Sequence, residues 1–368
     1  MTLSKSKKTI LTIVGARPQF VKAAAVSRVI QRAGIREYLV HTGQHYDYNM
    51  SQVFFEDLRI QQPDINLQIG SGGHAQQTAA MLQQIELQML TVKPDLILVY
   101  GDTNSTLAGA LAASKLQIPV AHVEAGLRSF NRKMPEEVNR VLTDHISDLL
   151  FAPTNAAVSN LRHEGISNDK IFFTGDVMFD AIQFYGPLCE NYESLLKTLG
   201  LQSEQFIFST IHRAENTNDK ERLISIFKQL ELISETIKVV CPLHPRTKAF
   251  LKEINHQISS DRLLIIEPLG YLQSLLLQRK SSLIITDSGG VQKEAFLNRK
   301  FCLTVRTETE WTELVDAGYN YLVNPLENLC SLALSILNRD FVINPDFEPY
   351  GSGNASENII DKIREYLK

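Results

Sequence analysis

The chain has 368 residues, a net charge of −4, 44% hydrophobic and 21% charged content. This is the balance of a soluble globular protein too long for one compact core, with no basic field to capture nucleic acid. No apolar run reaches the ~18–20 residues a membrane-spanning helix needs, so neither a membrane nor a nucleic acid is expected as a partner.

The polar, basic stretch from Met1 to Lys8 leads straight into "TILTIVG" without a cleavage-site pattern, so no signal peptide is expected. "TILTIVG" reads as a strand, and "FVKAAAVSRVIQRAG" after it as a helix with a glycine stop. "EYLVHTG" is a strand. "DLILVYGD" is an apolar strand followed by the helical "STLAGALAASKLQ". Then come "PVAHVEAG", the helix "NRVLTDHISD" and the short strand "LLFAPT". The alternation restarts with "FIFSTIHR", the helix "KERLISIFKQLELIS", "KVVCPLHP", "LLIIEPLG", "SLIITDSGG" and "FCLTVR". Strands apolar on both faces, each followed by a helix, predict parallel sheets covered on both sides.

A weak seam at residues 173–188 separates the two sets. The predicted organisation is an α/β chain of two Rossmann-like domains, residues 1–177 and 178–353. The amphipathic tail, residues 354–368, is predicted to pack back on the first domain. Two such domains imply an interdomain cleft as the active site, because open α/β sheets bind ligands beyond the carboxyl ends of their strands. The polar clusters Gly15-Ala16-Arg17, Gly101-Asp102-Thr103, Glu124-Ala125-Gly126, His212-Arg213, His244-Pro245 and Asp287-Ser288-Gly289-Gly290 all fall at such ends.

Ser288-Gly289-Gly290 joins a strand to a helix, where bare backbone amides and the helix dipole favour a phosphate. An ordinary tight turn is the alternative. Glu294, about one turn further on, would repel a phosphate and suits hydroxyl groups such as those of a ribose. Together they point to a nucleoside diphosphate. Neither a dinucleotide fingerprint nor a P-loop is present. Arg17 and Lys22 in "GARPQFVK" suit anionic groups, or else are plain solvated charges. Asp102 is either a helix cap or a cleft carboxylate. "AHVEAGLRSFNRKMPEEVNR" adds Glu124, Arg128, Glu136, Glu137 and Arg140, with Glu136 and Arg140 at i, i+4 on one helix face. Several carboxylates in one cleft suit general acid–base work. His212 is the side chain best suited to titrate near neutral pH by its type, and His244 ends the next strand. Metal-ligand spacing and a nucleophile elbow are absent, so no metal is expected. Cys189, Cys241, Cys302 and Cys330 are scattered and read as free thiols of a cytoplasmic protein.

The ordered set "GARPQFVK", "HTGQHYDYNMS", "GDTNST", "HVEAGLRS", "PEEVNR", "HRAEN", "HP" and "DSGGVQKEA" resembles the non-hydrolysing UDP-N-acetylglucosamine 2-epimerases from about residue 9 to about residue 345. The resemblance implies two domains of the glycosyltransferase-B type, a homodimer, and inversion at C2 of a UDP-2-acetamido sugar by anti elimination of UDP and re-addition, without a cofactor. It assigns Asp102, Glu124, Glu136 and His212 to catalysis. Arg17, Lys22 and Arg140 fall to the sugar or phosphate, Ser288, Gly289 and Gly290 to the diphosphate, and Glu294 to the ribose. Two departures stand out. Trp311 and Thr312 in "VRTETEWTE" replace an Arg-Pro pair, and Gln19 stands where Glu is common. Both resemble the branch acting on UDP-2,3-diacetamido-2,3-dideoxyglucuronate. A glycosyltransferase of the same architecture is the competing reading, since fold alone does not separate the two.

Overall fold

A computed structural model describes residues 7–44, 58–70, 72–254, 258–324, 326–344 and 346–368, without the side chains of Arg17, Ala214, Pro245 and Arg246. The "HTGQHYDYNMS" stretch lies outside the described residues from His45 onward. The chain divides into two compact units, Met1–Gln183 with Glu348–Lys368, and Phe184–Phe347.

Unit 1 is built on strands β1 (Thr9–Val14), β2 (Arg36–His41), β3 (Ile65–Asn66), β4 (Leu96–Tyr100), β5 (Val120–Val123), β6 (Leu149–Ala152) and β7 (Ile171–Phe173). They pair in the order β3-β2-β1-β4-β5-β6-β7, and every pairing is parallel. β1, β4, β5 and β6 are buried along their whole length, which is why their sequences are continuous apolar runs. The connecting helices are α1 (Arg17–Arg32), α2 (His74–Val92), α3 (Asn104–Lys115), α4 (Pro135–Ile146) and α5 (Asn155–His163). The small residues of α3, Ala108, Gly109, Ala112 and Ala113, are buried, and a Cβ at Gly109 would strike Ile13. That lack of bulk lets α3 lie close on β1. Leu11, Ile13, Ile97 and Val99 face α2 and α3 in one core, filled from α2 by Met81, Ile85 and Met89.

The nineteen-residue α2 has no counterpart among the elements read from sequence. Its buried stripe is a single file of four residues, one of them Gln77, so its glutamine-rich sequence carries little apolar periodicity.

Helix α6 (Val177–Cys189) leads from unit 1 into unit 2. Unit 2 contains α7 (Ser194–Thr198), β8 (Phe206–Thr210), α8 (Ala214–Thr217), α9 (Lys220–Thr236), β9 (Lys238–Pro242), α10 (Pro245–Glu253), β10 (Leu263–Ile266), α11 (Tyr271–Lys280), β11 (Leu283–Thr286), α12 (Gly289–Leu297), β12 (Cys302–Thr304), α13 (Thr312–Asp316), β13 (Asn320–Leu322) and α14 (Leu329–Ile336). Its sheet runs β10-β9-β8-β11-β12-β13, again wholly parallel, with the strand reversal between β8 and β11. Its core joins Ile207, Val239, Leu283 and Leu303 to Leu223, Ile226, Phe227 and Leu230 of α9.

The last helix, α15 (Ala355–Tyr366), belongs to unit 1 and packs on α1. Asp180 accepts from the N–H groups of Ala355 at 3.1 Å and Ser356 at 2.7 Å, satisfying two donors at its first turn. No helix among the described residues is long and apolar enough to cross a membrane.

Candidate active site

In unit 1 the polar residues gather beyond the carboxyl ends of β1, β4 and β5. Tyr100 and Val123 are paired across β4 and β5, so the chain leaves both strands side by side. Gly101 turns out of β4 at φ +63, and Glu124 out of β5 at φ +71. A non-glycine residue in that left-handed region costs energy and is a mark of functional turns. The Glu124 carboxylate is bonded to Lys22 of α1. A Cβ at Gly101 would stand 3.3 Å from Glu124 Oε2 and 3.4 Å from Lys22 Nζ, so this ion pair lies directly against the Gly101-Asp102 turn.

Asp102 is not the cap of α3. That part is taken by Thr103, whose hydroxyl accepts from the Thr106 N–H at 3.3 Å. The Asp102 carboxylate instead meets Arg140 Nη2 at 2.5 Å. Arg140 Nη1 meets Glu137 at 2.8 Å, an i, i+3 pair. Glu136, which shares a helix face with Arg140 by spacing, is exposed on α4, and the side chain turned inward with Arg140 is Glu137. Glu137 also accepts from the N–H groups of Ser129 at 3.0 Å and Phe130 at 2.9 Å, which fixes the loop before α4. Asn139 donates to the Asp102 carbonyl at 2.9 Å.

Gln19 joins two of these turns. Its Oε1 accepts from the N–H groups of Gly15 at 2.8 Å and Ala16 at 3.0 Å, and its Nε2 donates to Tyr100 O at 2.8 Å and Thr106 Oγ1 at 3.0 Å. The amide is needed because Tyr100 O only accepts; an ionised carboxylate there has no proton to give. Arg17 opens α1, but its side chain lies outside the described residues.

Beneath the two turns lies a buried group that sequence reasoning did not single out. His122 is held between Asp144 Oδ1 at 2.7 Å and Gly101 O at 2.8 Å. Asp144 Oδ2 takes the Gly126 N–H at 3.0 Å and Arg128 at 2.7 Å. Burial alone would raise the Asp144 carboxyl, but His122 and Arg128 together hold it below the ordinary carboxylate range. Arg128 pairs in turn with Glu164 at 2.7 Å.

In unit 2 the corresponding strand ends are those of β8 and β11. Asp287 is buried and accepts from the N–H groups of His212 and Arg213, at 3.1 and 2.9 Å, and from Asn216 Nδ2 at 3.0 Å. His212 Nδ1 lies 3.3 Å from Asp287 Oδ1, while its ring is 56% exposed. Asp287 therefore orients an accessible imidazole. Ser288 precedes α12 and makes no side-chain cap bond, and its N–H goes to Thr286 Oγ1 at 3.0 Å. A Cβ at Gly290 would meet nothing within 4 Å, so the backbone there is open to a ligand. Trp311 is buried and braces the same turn: its Nε1 donates to Gly289 O at 3.0 Å, and Lys293 Nζ sits 4.1 Å from its ring centroid. Glu294 accepts from Gln278 Nε2 at 2.7 Å. Burial, with the Glu294 carboxylate beside it, pushes the Tyr271 phenol well up. His244, just past β9, is exposed.

The structure thus brings Asp102, Glu124, Lys22 and Arg140 together in one unit. It brings His212, Ser288, Gly289 and Gly290 to adjoining strand ends in the other. Among the described residues no cluster of three His, Cys, Asp or Glu could hold a metal ion, and all four cysteines are free.

The family model described as UDP-N-acetylglucosamine 2-epimerase matches residues 28–364. A UDP-2,3-diacetamido-2,3-dideoxy-D-glucuronate 2-epimerase of Pseudomonas aeruginosa is 49% identical, covering 97% of this chain and 99% of its own. A UDP-N-acetylglucosamine 2-epimerase of Methanocaldococcus jannaschii is 45% identical over 97% of this chain and 98% of its own. A crystal structure of the M. jannaschii enzyme with UDP-GlcNAc and UDP superposes with a TM-score of 0.91 at 44% identity, covering 97% of this chain and 99% of that one. The Neisseria meningitidis enzyme bound to UDP-GlcNAc gives 0.87 at 31% identity, covering 97% of this chain and 100% of that one. The chain belongs to the UDP-N-acetylglucosamine 2-epimerase family.

Proposed function

We propose that the protein inverts C2 of a UDP-2-acetamido sugar, with unit 2 holding the nucleotide and unit 1 moving the proton. The observation that carries this is the pairing at adjacent strand ends of Asp102 with Arg140 and of Glu124 with Lys22. Two carboxylates side by side, each facing a cation, suit proton transfer at one carbon. A sugar transferase needs chiefly to stabilise a leaving group. In this reading one of the two carboxylates takes the C2 proton. The C–H electron pair becomes the C1–C2 double bond as the C1–O bond breaks, and UDP leaves with its electrons. The glycal then accepts a proton on the opposite face of C2 while the UDP oxygen returns to C1. Glu136 and His212 are proposed to assist, with Arg17 and His244 meeting anionic groups of the substrate. The open backbone at Gly290 is proposed to receive the diphosphate, and Glu294 the ribose.

The diacetamidoglucuronate nucleotide is the second substrate reading. It is favoured by the P. aeruginosa relative at 49% identity and by Trp311 at the glycine turn in place of Arg-Pro. Incubation with UDP-GlcNAc and with the diacetamidoglucuronate nucleotide, each in D2O and followed by NMR, tests both. Deuterium must enter C2 of at least one substrate; exchange with neither defeats the epimerase reading. Sites built to hydrogen-bond a group reject analogues lacking it by up to about 10⁴–10⁵, so comparable kcat/KM on plain UDP-GlcNAc defeats the second reading alone.

A homodimer and a cytoplasmic location are part of the proposal. The first is supported by exposed Leu87 and Leu90 on α2 and Leu142 on α4, helices that flank α3. The second is supported by the four free cysteines. Light scattering of the protein and of Leu142→Arg tests the dimer: a monomer in both would refute it.

A further inference from the structure

We infer that His122 is a positioning residue for the reaction, a buried clamp that sets Asp102 and Glu124 relative to one another. This rests on the epimerase reading above. Three observations carry it. First, His122 is 0% exposed, so its ring serves the interior and touches no substrate. Second, its Nε2 lies 2.8 Å from the carbonyl of Gly101, the residue before Asp102, and the Gly101 N–H is bonded to Val123 O at 3.0 Å. Gly101, the residue before Asp102, is therefore held through both its N–H and its carbonyl from β5, the strand that leads into Glu124. Third, Nδ1 lies 2.7 Å from Asp144, whose other oxygen takes the Gly126 N–H at 3.0 Å and closes the turn that carries Glu124. One imidazole and one carboxylate thus tie both left-handed turns to α4, the helix that also supplies Arg140.

The chemistry of the partners explains why a histidine stands here. A carbonyl oxygen and a carboxylate both only accept, so the ring satisfies both at once only with a proton on each nitrogen. Asn and Gln reach in one direction with their donors. A rigid planar ring with N–H groups at opposite edges spans two elements without rotamer freedom. Displacement of a reacting group by about 1 Å costs on the order of 10² in rate, so loss of the clamp registers in kcat. It does not register in nucleotide affinity, which belongs to the other unit.

The test uses wild-type protein and two variants, His122→Gln and Asp144→Glu. Wild type must first exchange the substrate C2 proton with D2O; failure there defeats the epimerase reading itself. With that secured, both variants are expected to fold, to bind UDP as wild type does, and to lose roughly 10²-fold in kcat with KM little changed. A folded variant with kcat within about twofold of wild type overturns the inference. So does a loss of kcat matched by an equal loss of UDP affinity, since that marks general loosening of the fold. A variant-free measurement covers the case in which neither folds. In protein labelled with ¹⁵N-histidine, one imidazole should show both ring N–H protons protected from solvent. Among the described residues the buried histidines are His41 and His122, and His41 Nδ1 accepts from the Gly43 N–H at 2.8 Å. Among the described residues a ring with two protected protons is therefore His122, and its absence overturns the inference.

Discussion

The guanidinium of Arg140 stands between two carboxylates, 2.5 Å from Asp102 Oδ2 and 2.8 Å from Glu137 Oε2. A planar fork serves both from two fixed nitrogens, whereas a lysine would have to reach both from a single nitrogen on a flexible stem. Arg140→Lys is therefore expected to keep the fold and lose about 10²-fold in kcat through misplacement of Asp102. Steady-state kinetics beside a thermal melt decide it, and kcat near the wild-type value would remove Arg140 from the orientation of Asp102.

Glu136 and Glu137 separate in a parallel experiment. Glu137 is buried and holds the Ser129-Phe130 backbone, so Glu137→Gln should lower both the melting temperature and kcat. Glu136 is exposed, so Glu136→Gln should leave the melting temperature alone. If it also leaves deuterium exchange alone, Glu136 has no part in proton transfer.

Asp102→Asn and Glu124→Gln should each cut turnover by roughly 10²–10⁴-fold, the usual range for acid–base groups, while UDP binding survives. Deuterium wash-in at C2 during a single turnover shows which of the two faces the proton: its variant loses exchange outright. A variant that retains near-normal exchange has been assigned the wrong part.

Gly290 offers a clean probe of the diphosphate reading. Since a Cβ there meets nothing within 4 Å, Gly290→Ala should fold normally and yet weaken UDP binding by crowding the ligand. Calorimetric titration with UDP measures it, and unchanged affinity would take the turn out of the site.

Glu37 gives unit 1 a pH-dependent stability. Burial pushes its carboxyl above the ordinary 4.5, against the pull of hydrogen bonds from Thr12 at 2.6 Å and Ser27 at 3.0 Å. Because the folded state holds the proton more tightly, the contribution is fully present below 4.5 and lost as pH rises through the folded value. Glu37→Gln should remove that loss and raise the melting temperature at neutral pH relative to wild type. Melts across pH 4 to 8 check this; parallel curves for the two proteins would show that Glu37 does not titrate in the fold.

Much of this architecture was readable from the residues because parallel strands buried on both faces leave continuous apolar runs, and the polar clusters follow them directly. What escaped had physical reasons. The glutamine-rich α2 buries a narrow stripe, so periodicity barely marks it. The choice between Glu136 and Glu137 depends on where α4 begins, and helix starts are the least legible feature of a sequence. His122 sits inside a fully buried strand, where a polar residue is told from its neighbours only by knowing what lies above and beside it. Gln19 was visible as a departure, but two of its four hydrogen bonds run to Tyr100 and Thr106, more than eighty residues away.

Both ends of the polypeptide fall in unit 1, and all of unit 2 is spliced between Gln183 and Glu348. In chain terms unit 1 is a host interrupted by a guest. A frameshift or protease that removed α15 would strike next to unit 2 in sequence, yet the injury would fall on the host. Asp180 would lose two of its donors, and α1, which carries Lys22, would lose its cover.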